Sequence, residues 1–358
     1  MKGKQGMVCM GLLLVLSSCH TGKQITASGL QRKDFQTEVN GQHTDLFTLS
    51  NKQGMEVCIT NYGARVVSIL VPDRNGKRED VVCGFSTITE YMEQRQNFGS
   101  TVGRYIGRIL NARFTLDGVE YKLVPNNGKS GHISHGGNPG FADRIWKVEQ
   151  ADTHRACLSY LSPDGENGFP GNLKVTLVYS LGEDDNALDL TYEATTDAPT
   201  VLNLSHHSFF NISGNFTKSV EDQQLWVDAD RFTPYDDKKC VTGEYLPVAG
   251  TPLDFRMPHA IGECIDADHP QLKVVNGYDH TWELNTKGDD TRPAAWVYDP
   301  ASGRKMEIFT TEPGIQIYTG NGLKGKMTGK RGIAYPFRSA VCFETMHFQD
   351  SPNQPEFP

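Results

Sequence analysis

The chain has 358 residues, with 43 acidic and 35 basic side chains and a formal net charge of -8 at pH 7. This balance is ordinary for a globular protein of one large or two smaller domains. It gives no support for nucleic-acid binding, because no run of Lys or Arg is present that would track phosphates.

The first residues have the pattern of an export signal. Two lysines precede a short apolar run, residues 7–16, which is too short to span a bilayer comfortably. The sequence LSSC at residues 16–19 resembles a bacterial lipobox; in that interpretation, cleavage occurs before Cys19, which then carries lipid. A plain secretory signal with a chance cysteine is the alternative. We predict a lipoprotein signal peptide at residues 1–18 and an exported protein, lipid-anchored to a bacterial membrane in the periplasm or at the outer membrane.

The rest of the chain is predicted to be a tether and one domain. Residues 19–36 are polar and aperiodic, which favours a tether. Residues 37–358 show no internal repeat and no clear linker, so one domain is the economical interpretation. Its six cysteines are scattered, without CxxC pairs or metal-finger spacing, and the sequence leaves their disulfide state open.

Strand patterns follow one another along this domain. Residues 55–73 hold two β-rich runs separated by NYG, and residues 113–124 read as a hairpin around DG. Residues 173–196 hold two runs around GEDDN, and residues 296–313 hold two around SG. The best helix candidate is residues 87–96. Regularly spaced strands with turn signals predict an all-β sandwich or barrel.

A carboxylate interrupts one apolar run near the C-terminus. In VCFETMHF, residues 341–348, Glu344 follows three apolar residues. A carboxylate there is costly to bury unless it is paired or functional. Desolvation raises the pKa of such a carboxylate towards neutral, which suits a general base that works near neutral pH. The alternative is that Glu344 lies at a strand end and meets water.

Two adjacent histidines, His206 and His207, lie in NLSHHSFFNIS, residues 203–213. Neighbouring side chains of a strand point to opposite faces, so both cannot face one pocket while the segment is extended. The periodicity leaves open which of them is functional. One hydrogen-bonded structural histidine and one exposed histidine is the simpler alternative.

A further histidine pair, His132 and His135, lies in the glycine-rich loop GHISHGG. With Asp279 of GYDHTWEL, with Glu344 and with the adjacent histidines of NLSHHSFFNIS it would make an N/O-rich set suited to zinc or a similar ion. Nothing in a glycine-rich loop fixes tetrahedral geometry, however, so we predict no metal site. The glycines indicate a tight loop that lets a ligand approach the backbone.

These clusters, in this order, resemble the aldose 1-epimerase (galactose mutarotase) family. The similarity begins at about Leu46 and includes NYGARVVSILVPDRNGK, VGRYIGRI, HISHGGNPGFADRIW, LNLSHHSFFNI, GYDHTWEL, TTEPGIQIYTGN and FETMHFQDSPNQPEFP. Seven such segments in sequence are specific, although each is weak alone. The resemblance implies a large antiparallel β-sandwich of the galactose mutarotase type, a supersandwich. It also implies an enzyme that interconverts the α and β anomers of free hexoses such as glucose or galactose.

The same resemblance implies roles for individual residues. Glu344 matches the catalytic base. The catalytic histidine of the family directly precedes Ser, which here is His207, whereas His206 stands where the family commonly has Asn. His135 of the HGG element matches a second histidine of the family's site, one that contacts the sugar.

Two more matches concern the sugar hydroxyls. Asp279 matches a hydroxyl-binding carboxylate, and Arg108, the second arginine of GRYIGRI, matches an arginine that contacts hydroxyls. The family often has Asn before this arginine, where this chain has Gly107.

The implied chemistry needs one base and one acid. The base takes the proton of the anomeric hydroxyl and the acid gives one to the ring oxygen, so that the ring opens and recloses as the other anomer. A carboxylate and an imidazole on opposite sides of the ring can do this, each with a pKa tunable towards neutral. We therefore predict a monosaccharide as the ligand, and neither a metal nor an organic cofactor.

Three alternatives remain from the sequence. One is a sugar-binding module that has lost turnover, which is favoured by an early C-terminus: family members typically continue with another strand. A missing closing strand would expose a neighbouring strand and weaken the wall that carries Glu344. The others are a metal-dependent β-sandwich enzyme, and an epimerase of a phosphorylated sugar, for which Arg104 and Arg108 are the only candidate phosphate ligands.

Overall fold

The computed structural model describes residues 25–358. The predicted signal peptide, Cys19 and the first part of the predicted tether lie outside this range. Two α-helices are present in the described range: α1 Ile88–Gln94 and α2 Pro270–Val275. None of the helices in residues 25–358 is long and apolar enough to cross a membrane.

The strands of the described range follow in chain order. They are β1 Glu38–Val39, β2 Gln42–His43, β3 Leu46–Ser50, β4 Glu56–Thr60, β5 Arg65–Pro72, β6 Arg78–Asp80, β7 Ser100–Val102, β8 Arg108–Ile109, β9 Arg113–Leu116, β10 Val119–Lys122, β11 Ile133–Ser134, β12 Lys147–Ala151 and β13 Arg155–Ser162. They continue as β14 Leu173–Leu181, β15 Leu188–Thr196, β16 Ser205–His207, β17 Phe209–Phe210, β18 Gln224–Val227, β19 Arg231–Thr233, β20 Leu246–Pro247, β21 His259–Ala260, β22 Asp279–Glu283, β23 Ala295–Tyr298, β24 Lys305–Ile308, β25 Gly314–Tyr318 and β26 Val341–Met346.

The four predicted strand pairs are confirmed as antiparallel neighbours: β4 with β5, β9 with β10, β14 with β15, and β23 with β24. The predicted helix is confirmed as α1. Its start is fixed by a capping box, in which the Thr87 side chain accepts from the Glu90 backbone N–H and the Glu90 carboxylate accepts from the Thr87 N–H.

Two four-stranded sheets form the first sandwich. One has the order β3-β4-β5-β6 and the other β12-β13-β14-β15. Strand β14 alternates buried residues with exposed or half-buried ones along its whole length, as expected of a sheet with one face in the core. Its apolar face, with Val175 and Leu177, packs in one buried cluster with Val57 and Val66 of the facing sheet.

The second sandwich contains the central sheet of the molecule. A six-stranded sheet of order β17-β26-β25-β22-β19-β20 packs against the four-stranded sheet β21-β18-β23-β24. Leu225 and Val297 of the smaller sheet share a buried cluster with Trp282, Ile317 and Phe343 of the larger one. The predicted large antiparallel β-sandwich is therefore confirmed, as two sandwiches within one chain.

The N-terminal segment differs from its prediction as a tether. From Thr26 onward the chain packs on the domain, and a short 3₁₀ turn spans Arg32–Phe35. Leu30 and Phe35 are buried, and the backbone N–H groups of Ala27 and Ser28 donate to the Glu56 carboxylate. The tether prediction is wrong for this part, because two apolar side chains in a polar stretch suffice to dock it.

Arg104 holds together the segment that leads to the site. Its guanidinium is almost fully buried and donates five short hydrogen bonds. The acceptors, at 2.7–3.0 Å, are the Ser162 hydroxyl and the backbone oxygens of Ser162, Pro163, Pro170 and Gly171. Arg104 is therefore committed to protein carbonyls and is not available to a phosphate, which weakens the phosphorylated-sugar alternative.

We expect Arg104→Met to lower the free energy of unfolding by about 3–5 kcal/mol, since several buried carbonyls lose their donor at once. Urea denaturation measures the difference. The control is Arg113→Ala, whose guanidinium lies on the surface 4.0 Å from Glu120 and should cost no more than about 0.5 kcal/mol. Equal effects of the two substitutions would contradict the structural role of Arg104.

Candidate active site

A cavity of about 250 Å³ opens beside the central sheet. This volume suits a small solute and lies below the range of pockets that take drug-sized ligands. All five residues that the sequence analysis assigned to the site line it: Arg108, His135, His207, Asp279 and Glu344. The chain brings them together from five distant segments.

His207 and Glu344 form the centre of the cavity. His207 Nε2 lies 3.4 Å from Glu344 Oε1, and both side chains are less than 10% exposed. The His207 ring stacks on Phe209 at 5.0 Å between centroids and meets the His135 ring edge-on at 5.4 Å. The imidazole is thereby held in one orientation towards the carboxyl group.

Burial shifts both members of this pair towards neutrality. It raises the pKa of Glu344 well above its usual value, and Asp279 adds to this shift. It lowers the pKa of His207 well below its usual value, and His135 adds to that shift. A carboxylate with a raised pKa is a stronger base, and an imidazolium with a lowered pKa is a stronger acid. In a pair that holds one proton, these shifts place the proton on Glu344 in the resting state. The reactive form, with Glu344 as the carboxylate and His207 as the imidazolium, is the minor arrangement of the same proton, and it contains the stronger base and the stronger acid.

Asp279 and Arg108 supply opposite charges elsewhere on the wall. The Asp279 carboxylate accepts a 2.7 Å hydrogen bond from Gln316 Nε2. Burial raises the pKa of Asp279, and the Arg108 charge and the Gln316 hydrogen bond act against this shift. Arg108 donates to the Lys239 carbonyl at 3.4 Å and forms no ion pair with a carboxylate of residues 25–358. Its guanidinium therefore keeps donors for a ligand.

His135 lies on the tight glycine loop after β11. Its Nδ1 accepts from the Gly107 N–H at 3.4 Å, which leaves the proton on Nε2 as a donor. Burial lowers the pKa of His135 to about 4, so the ring is neutral at pH 7. The loop is possible because Gly136 has a φ of +77° and touches the backbone of Gly103, where a Cβ would lie 1.9 Å from the carbonyl oxygen. The predicted tight loop is confirmed.

The other two candidate histidines lie outside the cavity lining. His206 points to the opposite face of β16, where its ring meets Tyr179 and its Nδ1 lies 3.2 Å from the Ser208 hydroxyl. The expectation of opposite faces is confirmed. His132 accepts from the Asn111 N–H and contacts the Cys240 thiol at 3.2 Å. The hypothetical HxxH ligand pair is thus divided between two environments.

In the part of the chain that the structure describes, one other group of side chains could hold a metal ion. Ligand atoms of His207, Cys342 and Glu344 lie within 4.8 Å of one another, and such a set suits zinc-like ions. Burial raises the pKa of the Cys342 thiol well above its usual value, so a metal would have to displace its proton. It would also occupy the two groups that are placed for proton transfer.

Several cavity residues were missed in the sequence. They are Gln96, Asn97, Gly107, Ser134, Phe209, Gln316, Tyr318, Met346 and Gln349. A signal existed for Gln316, because a polar residue interrupts the apolar strand GIQIY. Its Cα partner across the sheet is Glu344, which interrupts the next strand in the same way. Two such interruptions at paired positions mark a polar wall.

A family model described as aldose 1-epimerase matches residues 45–358. Galactose mutarotase of Sus scrofa is 39% identical over 312 residues, which cover 87% of this chain and 88% of that protein. Aldose 1-epimerase of Escherichia coli is 36% identical over 320 residues, covering 89% and 90%.

Among solved structures, an aldose epimerase homologue from C. elegans superposes with a TM-score of 0.80 at 30% identity, covering 88% of this chain and 93% of that one. The galactose 1-epimerase of Lactobacillus acidophilus gives a TM-score of 0.76 at 29% identity, covering 87% and 88%.

Proposed function

This chain belongs to the aldose 1-epimerase family and interconverts the anomers of sugars, and we propose that it acts on free hexoses, glucose or galactose, with Glu344 as the base and His207 as the acid. The observation that carries the proposal is the 3.4 Å approach of these two buried groups in a cavity of small volume. Mutarotation consists of proton transfers that open and reclose the ring. The two side chains can carry out these transfers without a cofactor.

The two reacting oxygens of a pyranose are both bonded to C1. When the proton of the pair lies on His207, Glu344 removes the proton of the anomeric hydroxyl while His207 protonates the ring oxygen, so that the bond between C1 and the ring oxygen breaks. Rotation about C1–C2 turns the aldehyde over, and the reversed transfers close the ring as the other anomer. From the sequence we expected the acid and the base on opposite sides of the ring. Their close approach instead supports adjacent positions, since the two oxygens share one carbon.

The remaining polar groups are proposed to hold the sugar hydroxyls. Asp279, fixed by Gln316, accepts from hydroxyls, whereas Arg108 and His135 Nε2 donate to them. Holding the ring fixes C1 against the proton-transferring pair. A sugar that lacks a matching hydroxyl leaves one of these buried groups unpaired and is disfavoured.

We also propose that the protein is exported and lipid-anchored through Cys19. The support is the LSSC sequence at residues 16–19 after a short apolar run. In this location the enzyme would equilibrate anomers that are released by glycan breakdown outside the inner membrane.

We expect Glu344→Gln and His207→Asn each to lower kcat for mutarotation by about 10²–10⁴-fold, the usual contribution of a general acid or base. Polarimetry of fresh α-D-galactose and α-D-glucose, with residues 20–358 as the enzyme, measures this. His206→Asn is the matched control, because its ring faces away from the cavity, and should retain kcat within about tenfold. If His206→Asn abolished mutarotation and His207→Asn retained it, His206 and not His207 would be the catalytic acid.

We expect kcat/KM to depend on pH as a bell, because the active pair holds one proton. As pH falls past the lowered pKa of His207, the imidazole and the carboxylate are both protonated, and the base is lost. As pH rises past the raised pKa of Glu344, the pair loses its last proton and the acid is lost. The uncatalysed rate is subtracted at each pH. A rate with no alkaline limb would contradict a proton-sharing pair.

When all 358 residues are expressed in a bacterium, we expect the protein to be recovered in the membrane fraction and to be labelled by a radioactive fatty acid. Cys19→Ser should abolish both. Cys264→Ser, at a partly exposed cysteine, is the control and should leave both unchanged. Unlabelled, freely released wild-type protein would support the plain secretory signal instead.

A further inference from the structure

Gln349 lines the cavity together with Gly107 and Gln316. Its side chain is buried, and its amide nitrogen donates to the Tyr235 hydroxyl at 2.6 Å and lies 3.4 Å from Gln316 Oε1. Its amide oxygen has no hydrogen-bond partner within residues 25–358. That oxygen is not fully enclosed by protein, so it keeps accessible surface in a residue of the cavity wall.

Gly107 makes room for this side chain. Its φ is +74°, and a Cβ at this position would lie 2.5 Å from Gln349 Cγ and 3.1 Å from Cδ. Contacts below 3 Å do not occur between real atoms of this kind, so a side chain at position 107 and Gln349 in its present position exclude each other. Gly107 directly precedes Arg108, whose guanidinium has donors left for a ligand.

We propose that Gln349 is a substrate-positioning residue whose amide oxygen accepts a hydrogen bond from one ring hydroxyl of the sugar, and that Gly107 is required for it to reach that hydroxyl. Gln316 Nε2 is already bonded to Asp279, so Gln316 presents its oxygen, which can only accept, to Gln349. The Gln349 nitrogen therefore turns to Gln316 and Tyr235, and its oxygen faces the cavity. Gln349 thus adds a neutral acceptor beside the cationic donor Arg108 and helps to determine which hydroxyl pattern is bound. This inference rests on the proposed function and deepens it.

The test is an enzyme–substrate double cycle. Wild type and Gln349→Met are compared on galactose and on its 2-, 3-, 4- and 6-deoxy derivatives by polarimetry. Gln349→Met should raise KM for galactose by about tenfold with a smaller change in kcat, as loss of one buried hydrogen bond does. One deoxy sugar should show the same loss with wild type and no further loss with the variant.

Gly107→Ala is the second variant. It adds no polar group but displaces Gln349, so it should abolish discrimination against the same deoxy sugar. Thermal melting shows whether each variant is folded. For a variant with low turnover, calorimetric titration with galactose and with its deoxy derivatives gives the binding affinities for the same double cycle. Additive losses for every deoxy sugar would overturn the proposal, since Gln349 would then act only through packing. A wild type that accelerates neither galactose nor glucose would instead contradict the proposed substrates, and the calorimetric cycle would still decide the role of Gln349.

Discussion

The site depends on the burial of one acid–base pair, His207 and Glu344, in a cavity wall where both side chains are nearly inaccessible to solvent. Water would return both groups to their ordinary pKa values and make them weaker catalysts: the carboxylate a weaker base and the imidazolium a weaker acid. The double sandwich supplies this burial, because Glu344 lies on a strand of the central sheet whose other face is packed against a second sheet. The chemistry therefore follows from where the sheet places a carboxylate, more than from any unusual residue.

The strand order converts distant sequence segments into one wall. Strands β22, β25 and β26 are consecutive neighbours, and they carry Asp279, Gln316 and Glu344 towards the same cavity. Facing them are His207 at the end of β16 and the loop of His135, whose glycines allow backbone approaches that no other residue would tolerate. Arg104, buried among carbonyls, holds the segment that carries Gly107 and Arg108.

Much of this arrangement could be predicted from the sequence, and the reasons are local. Alternation and DG or SG turns identified four strand pairs, and the opposite faces of His206 and His207 follow from the period of a strand. The choice of His207, and the roles of Arg108, His135 and Asp279, came from resemblance. Strand order, the docking of residues 26–36 and the approach of Gln349 to Gly107 depend on contacts between distant residues, which no local pattern encodes.

The most direct test of the account is a crystal structure of Glu344→Gln with galactose bound. The account predicts the anomeric hydroxyl within hydrogen-bond distance of the side chain at position 344, and the ring oxygen within that distance of His207 Nε2. A sugar bound in the same cavity with C1 turned away from both groups, towards Arg108 or Asp279, would contradict the assignment of base and acid.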